Sequence, residues 1–235
     1  MNRRQILLGG AALALAPSLG RAQALKPLKI GVMNDMSSVY SDFQGRGSVI
    51  AAQLAVEDYS AKLGVPVEIL AADHQNKPDI GAAIARKWFD EEHVDVIADT
   101  PTSGVALAVA QIVKDKNRIF LNSGAGTTAL TNKACTPNTV HWSYDTYMLA
   151  HGSATAMVKA GGDSWFFVTA DYVFGKTLQA DATAVVEANG GKVLGSVYAP
   201  LNTPDFSSFM LQAQSSKAKV IGLANAGGDT DNAIK

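Results

Sequence analysis

The feature that most constrains this 235-residue chain is one repeated unit: a short apolar strand, a polar or glycine-bearing loop, then an amphipathic helix. Leu28 to Met33 reads as the first strand, and residues 47–63 as a helix with Val49, Ala52, Ala55 and Val56 at helical spacing. Gly64 stops that helix. Residues 67–71, 94–98 and 118–121 continue as strands. The helices between them run from Asp79, expected as an N-cap, to about Glu91, and to about Asp115. Strands separated by helices cannot pair as hairpins, so the sheet is parallel and its crossovers right-handed.

The pattern changes at Val140 to Asp145, a short extended segment. A second series then begins, with a helix to about Ala160, a strand over 165–169, a helix over 174–189 and a strand over 192–198. Residues 206–215 read as a helix, 220–224 as a strand, and Asp229 opens a last helix. The expected fold class is α/β: two doubly wound parallel-sheet lobes, 25–145 and 146–235, joined near Ser143 to Asp145. Lys235 stops the second lobe before its last strand has a covering layer, so that lobe is expected to be truncated.

Residues 1–24 carry an address. Arg3 and Arg4 precede an apolar run from Ile6 to Ala16; Pro17 and Gly20 break it, and Ala22-Gln23-Ala24 is a small-x-small cleavage site. The run is about half the ~20 residues of a spanning helix. It therefore reads as a signal peptide cut after Ala24, of the twin-arginine or the Sec type, which delivers the chain to a periplasm. Loss of Arg3, Arg4 and Arg21 leaves 17 basic against 21 acidic residues. A mildly acidic chain gives no electrostatic reason to bind nucleic acid or an anionic membrane. Cys135 is the only cysteine, read either as a small buried thiol or as half of a pair completed beyond Lys235. His74, His93, His141 and His151 lack metal-ligand spacing and read as surface or capping residues, so no metal is expected.

Ligands of open parallel sheets sit beyond the carboxyl ends of the strands. Two loops there bring hydroxyls and free backbone N–H groups: Pro101 to Gly104, where a helix begins, and Ser123 to Thr128. Helix N-termini attract carboxylates. Tyr40 and Phe43 lie in the loop after the first strand, and Tyr172 lies between a second-lobe strand and its helix.

Several segments in order resemble periplasmic solute-binding proteins of the branched-chain amino acid type, which serve ABC importers. They are Leu28-Lys29-Ile30-Gly31-Val32, Ala55-Val56-Glu57-Asp58, Thr102-Ser103, Asn122-Ser123-Gly124-Ala125-Gly126-Thr127, Asp171-Tyr172-Val173-Phe174-Gly175 and Asn225-Ala226-Gly227. The resemblance implies a type I periplasmic binding fold without catalysis or cofactor. A small amino-acid-like or carboxylate solute would be trapped by hinge closure and handed to permease subunits. It places the solute carboxylate on Ser103 or its neighbour Thr102, with Ser123, Ala125 and Thr127 from the next loop. Tyr40 and Phe43 would form a lid, with Tyr172 and Asn225 from the second lobe. The family's aromatic after the last strand is replaced here by Asn225-Ala226-Gly227, and its acidic anchor falls beyond Lys235.

Two other readings stand beside it. Gly124-Ala125-Gly126-Thr127-Thr128-Ala129 matches a dinucleotide-binding glycine pattern, with Asp145 near the acidic position, which suits an exported NAD(P)-dependent oxidoreductase. The motif follows the fourth strand, however, and its helix is broken by Asn132 to Asn138. The same fold also serves as the ligand-sensing domain of receptors.

Overall fold

The computed structural model describes residues 25–235, so the signal-peptide reading of residues 1–24 and Ala24 lies outside the described residues. The strands are β1 (Leu28–Asn34), β2 (Val67–Asp73), β3 (Val96–Asp99), β4 (Ile119–Asn122), β5 (Thr139–His141), β6 (Ser164–Ala170), β7 (Lys192–Ala199) and β8 (Val220–Ala224). The α-helices are α1 (Gly45–Leu63), α2 (Pro78–Asp90), α3 (Ser103–Asp115), α4 (Thr146–Lys159), α5 (Val173–Ala188), α6 (Ser207–Ser215) and α7 (Gly228–Ile234). All pairings are parallel, in two sheets ordered β2-β1-β3-β4-β5 and β7-β6-β8. The strand order reverses between β1 and β3 in the first sheet and between β6 and β8 in the second. A crevice opens at the strand ends of each reversal.

Register sorts the first sheet's side chains by face. Gly31, Ile97 and Phe120 align across β1, β3 and β4 and face α2 and α3. There Met33, Trp88, Phe89, Val105, Val109 and Val113 complete the main core. Glycine is required at 31, because a Cβ there would lie 2.3 Å from the Trp88 ring. The opposite face carries Val32, Ala98, Leu121 and Val140. α1 covers it only over β1 and β2, so Val140 and Ile119 stay about half exposed. In the second sheet alternate residues of β6 serve two cores. Trp165 and Phe167 face α4 and α5, while Phe166 and Val168 pack with Phe206, Phe209 and Met210.

Four local expectations are corrected. Asp79 is not the cap of α2: Pro78 holds the first helical position after Lys77, and Asp79 lies in the first turn, where its charge favours the helix dipole. α7 begins at Gly228, and the Asp229 carboxylate instead accepts from the Asn202 and Thr203 N–H groups, both at 3.1 Å, tying the loop after β7 to α7. Cys135 is exposed, in the loop that leads to β5, rather than a buried thiol. His74 is fully buried rather than on the surface, because β2 runs on to Asp73 and turns inward beneath α2.

The buried His74 links folding to pH. Burial pushes its pKa down from 6.5 to about 4, against the opposing pull of Asp35 and Asp73. The unfolded chain therefore takes the proton first. Stability from this residue is complete above pH 6.5 and is lost as pH falls toward 4, by roughly 3 kcal/mol in all. His74→Gln is expected to flatten the fall in urea midpoint between pH 7 and pH 4.5 relative to wild type. An equal fall in both proteins would show that His74 is not the titrating group.

Candidate functional site

The loop after β1 is folded by two carboxylates: Asp73 accepts from the Met36 N–H at 3.1 Å, and Asp35 holds the rest. Asp35, fully buried, accepts from the Ser38 and Tyr40 N–H groups at 2.9 Å and from the Ser38 hydroxyl at 2.6 Å. This turns the chain back and sends Tyr40 into the crevice, where it is 5% exposed. Phe43, at the same loop's tip, stays exposed but lines the opening. Beside it β3 ends in two consecutive left-handed residues, Asp99 (φ 78°) and Thr100 (φ 64°). For a β-branched threonine this is a strained conformation, and strain persists only where surrounding bonds hold it. Here the Thr100 N–H donates to the Met33 carbonyl at 2.8 Å. The Asn122 amide donates to the Asp99 and Thr100 carbonyls at 2.8 and 3.0 Å.

That turn leads through Pro101, which lines the crevice, to the start of α3. Thr102 is its N-cap residue, yet no side chain caps the helix. The Thr102 and Ser103 hydroxyls are buried and have no partner among the described residues. Two unpartnered hydroxyls thus stand beside the uncapped first-turn N–H groups, and helix N-termini of this kind attract anions. The next loop is held by Asn122, whose amide oxygen accepts from the Ala125 N–H at 3.1 Å. Ser123 donates to the Asp99 carboxylate at 3.3 Å. The Thr127 hydroxyl is already engaged: it accepts from the Ala129 N–H and pairs with Thr177 of the second sheet's helix α5.

The second sheet closes on this crevice. The Tyr172 hydroxyl meets the Tyr40 hydroxyl, and its ring lies 6.2 Å from that of Phe174. Thr128 donates to Asp181 at 3.3 Å beside the Thr127–Thr177 contact. Asn225 is buried, its oxygen taken by Thr230 and its Nδ2 unpartnered. The enclosed space is small, about 50 Å³, and is lined by Tyr40, Phe43, Pro101, Gly126, Tyr144, Tyr172, Phe174, Ala226 and Gly227. No cation lines it. Burial raises the Asp99 carboxyl above the usual range, against hydrogen bonds from Ser48, Asn34 and Ser123. Burial also raises the Tyr40 and Tyr144 phenols, helped by Asp229 and Asp99 respectively.

The structure thus brings Tyr40, Phe43 and Tyr172 to one crevice, beside Pro101, Gly126 and Ala226, the chain neighbours of Thr102, Thr127 and Asn225, while Ser123, Ala125 and Thr127 are engaged in the loop after β4. Sequence reading missed Tyr144, Phe174 and Gln44. Tyr144 follows β5, and so shares the strand-end position that singled out the others; its hydroxyl donates to the Gly124 carbonyl at 2.9 Å. The dinucleotide pattern has another explanation. After β4 comes only a 3-10 turn, Thr128–Leu130, with no α-helix to present its N-terminus. Both glycines are filled by protein: a Cβ at Gly124 would meet the Gln44 amide at 2.6 Å, and one at Gly126 would meet Phe174 at 2.7 Å.

The comparisons with known proteins agree with this geometry. A family profile described as periplasmic binding protein matches residues 27–235. A periplasmic binding protein from Burkholderia mallei is 52% identical, with a TM-score of 0.86 over 88% of this chain and 56% of its own. A branched chain amino acid ABC transporter periplasmic ligand-binding protein from Burkholderia xenovorans is 38% identical, with a TM-score of 0.72 over 87% of this chain and 55% of its own. An ABC transporter solute binding protein from R. palustris, in complex with 4-hydroxybenzoate, is 26% identical, with a TM-score of 0.81 over 89% of this chain and 57% of its own. The chain spans about half the length of the curated relatives it matches, 53% of each. From the profile match over almost all described residues, the two parallel sheets and the crevice at their strand ends, the chain belongs to the periplasmic binding protein family.

Proposed function

We propose that this chain is a non-enzymatic solute-binding component of an ABC importer, exported to the periplasm with residues 1–24 removed. Its lobes, 25–145 and 146–235, close about Ser143 to Asp145 on a small carboxylate solute, which the closed form delivers to permease subunits. The observation that carries this reading is the pair of buried, unpartnered hydroxyls at the uncapped start of α3, Thr102 and Ser103. An arriving carboxylate satisfies both, and charge-assisted hydrogen bonds of this kind are about twice as strong as neutral ones. The walls supplied by Tyr40, Tyr144, Tyr172 and Phe174 fit an aromatic or branched apolar body. The R. palustris neighbour is in complex with 4-hydroxybenzoate and the B. xenovorans neighbour belongs to a branched chain amino acid ABC transporter, which supports the same two solute types.

The space between Tyr40 and Tyr172 is far below the ~300–1,000 Å³ of ordinary ligand pockets, and an open pocket of about 1070 Å³ adjoins it at Phe43, Tyr144, Phe174 and Ala226, so parting of the lobes is what would make room for a solute held from both sides. Solute contacts to both lobes then favour closure. The test is a thermal-shift screen of the full-length mature protein with leucine, isoleucine, valine, benzoate, 4-hydroxybenzoate and NAD. A raised midpoint with one of the carboxylic solutes and none with NAD is the expected result, since a ligand stabilises the state it binds. A shift with NAD alone would overturn the reading in favour of an oxidoreductase.

A further inference from the structure

We infer that the Gln44 carboxamide contacts the captured solute and reads a hydrogen-bond donor on it, an ammonium or a hydroxyl group. This rests on the solute-binding reading of the same crevice and adds a specificity residue to it. Gln44 ends the loop after β1, directly after Phe43, and occupies the N-cap position of α1 without capping it. Its amide is held instead over the two loops that carry the carboxylate site. A Cβ built on Gly124 would lie 2.6 Å from Gln44 Nε2, 2.7 Å from Gln44 Oε1 and 2.8 Å from the Pro101 Cα, so all three loops meet at this point.

Gln44 Oε1 is buried and has no partner among the described residues. A buried acceptor left empty costs about 1–3 kcal/mol, so it is retained where something supplies the donor. No donor among the described residues does so, and the side chain forms no cap bond to the first turn of α1. The local field selects the same kind of group. The Asn34 amide ties the carbonyl of Gly45, the residue after Gln44, to the buried Asp99 carboxyl, and no cation lines the crevice. A donor on the solute is favoured there, while its carboxylate goes to the start of α3.

The experiment compares solutes that differ by that donor alone: leucine against 4-methylpentanoate, and 4-hydroxybenzoate against benzoate, by calorimetric titration of the full-length mature protein. In whichever pair binds, wild type is expected to prefer the donor-bearing member by about tenfold. Gln44→Leu is expected to bring the two within about twofold, by weakening only the donor-bearing member. Gln44→Glu, which keeps the acceptor, is expected to restore the preference. Gln44→Ala replaces the leucine variant if the latter does not fold. A general loss of packing would lower both members together and leave their ratio unchanged. A wild type that binds both members equally, or a leucine variant that keeps the preference, overturns the inference and leaves the solute-binding reading standing. A wild type that binds none of the four solutes overturns both.

Discussion

Thr102→Val combined with Ser103→Ala is expected to weaken binding of a carboxylate solute by at least about a hundredfold while moving the thermal midpoint of the empty protein by no more than ~2 °C. The two halves of this outcome have separate causes. A hydrogen bond to a charged group contributes roughly 1.5–3 kcal/mol, and two are lost. In the empty protein neither hydroxyl has a partner, so nothing in the fold is broken by removing them. Valine keeps the shape of threonine at a position 2% exposed. A midpoint that falls by 10 °C would mean that the hydroxyls serve the fold. An unchanged affinity would remove the start of α3 from the site. Thr127 is a poor choice for the same experiment, because its hydroxyl caps the Thr128–Leu130 turn and bridges to Thr177, so its loss mixes stability with binding.

The largest effect on stability is expected at Gly175. It lies in the first turn of α5, where that helix presses its N-terminal end onto the ends of β6 and β8. A Cβ there would lie 2.2 Å from the Ala170 carbonyl oxygen and 2.8 Å from that of Ala224. Both obstacles are backbone atoms of paired strands, so neither can swing aside as a side chain would. Gly175→Ala is expected to cost about 3 kcal/mol or more, a fall in thermal midpoint on the order of 6–12 °C. Gly152→Ala is the internal control. It changes a glycine inside α4 with open space around its Cβ position, and there alanine is expected to stabilise by up to ~1 kcal/mol. Equal effects at the two positions would show that the close approach at Gly175 is not real. The same approach places Tyr172, the residue before α5, against Tyr40. A chain that survives Gly175→Ala is therefore expected to bind solute less well.

The order of elements was readable along the chain, and so was their type. Strand and helix periods are local, and the glycine at 64 with its left-handed backbone ended α1 as expected. The same local signals placed the loops Pro101–Gly104 and Ser123–Thr128 at the carboxyl ends of β3 and β4, since strand direction follows once crossovers are helical. The start of α3 at Ser103 was legible because a helix start is a local event. What the chain's order could not reveal was which polar groups were already spoken for. Thr127 finds Thr177, fifty residues away, and Tyr40 finds Tyr172, 132 residues away. Gln44 acquires its place only where three loops converge over Gly124. His74 reads as a surface or capping residue until β2 turns it beneath α2, and of the two readings of Cys135 the buried thiol fails because its loop leaves it in solvent. Periodicity therefore set the elements and the direction of the strands, because those depend on neighbours in sequence. Only packing between distant segments decided burial, pairing and the free hydroxyls, because desolvation and hydrogen-bond competition are settled in three dimensions.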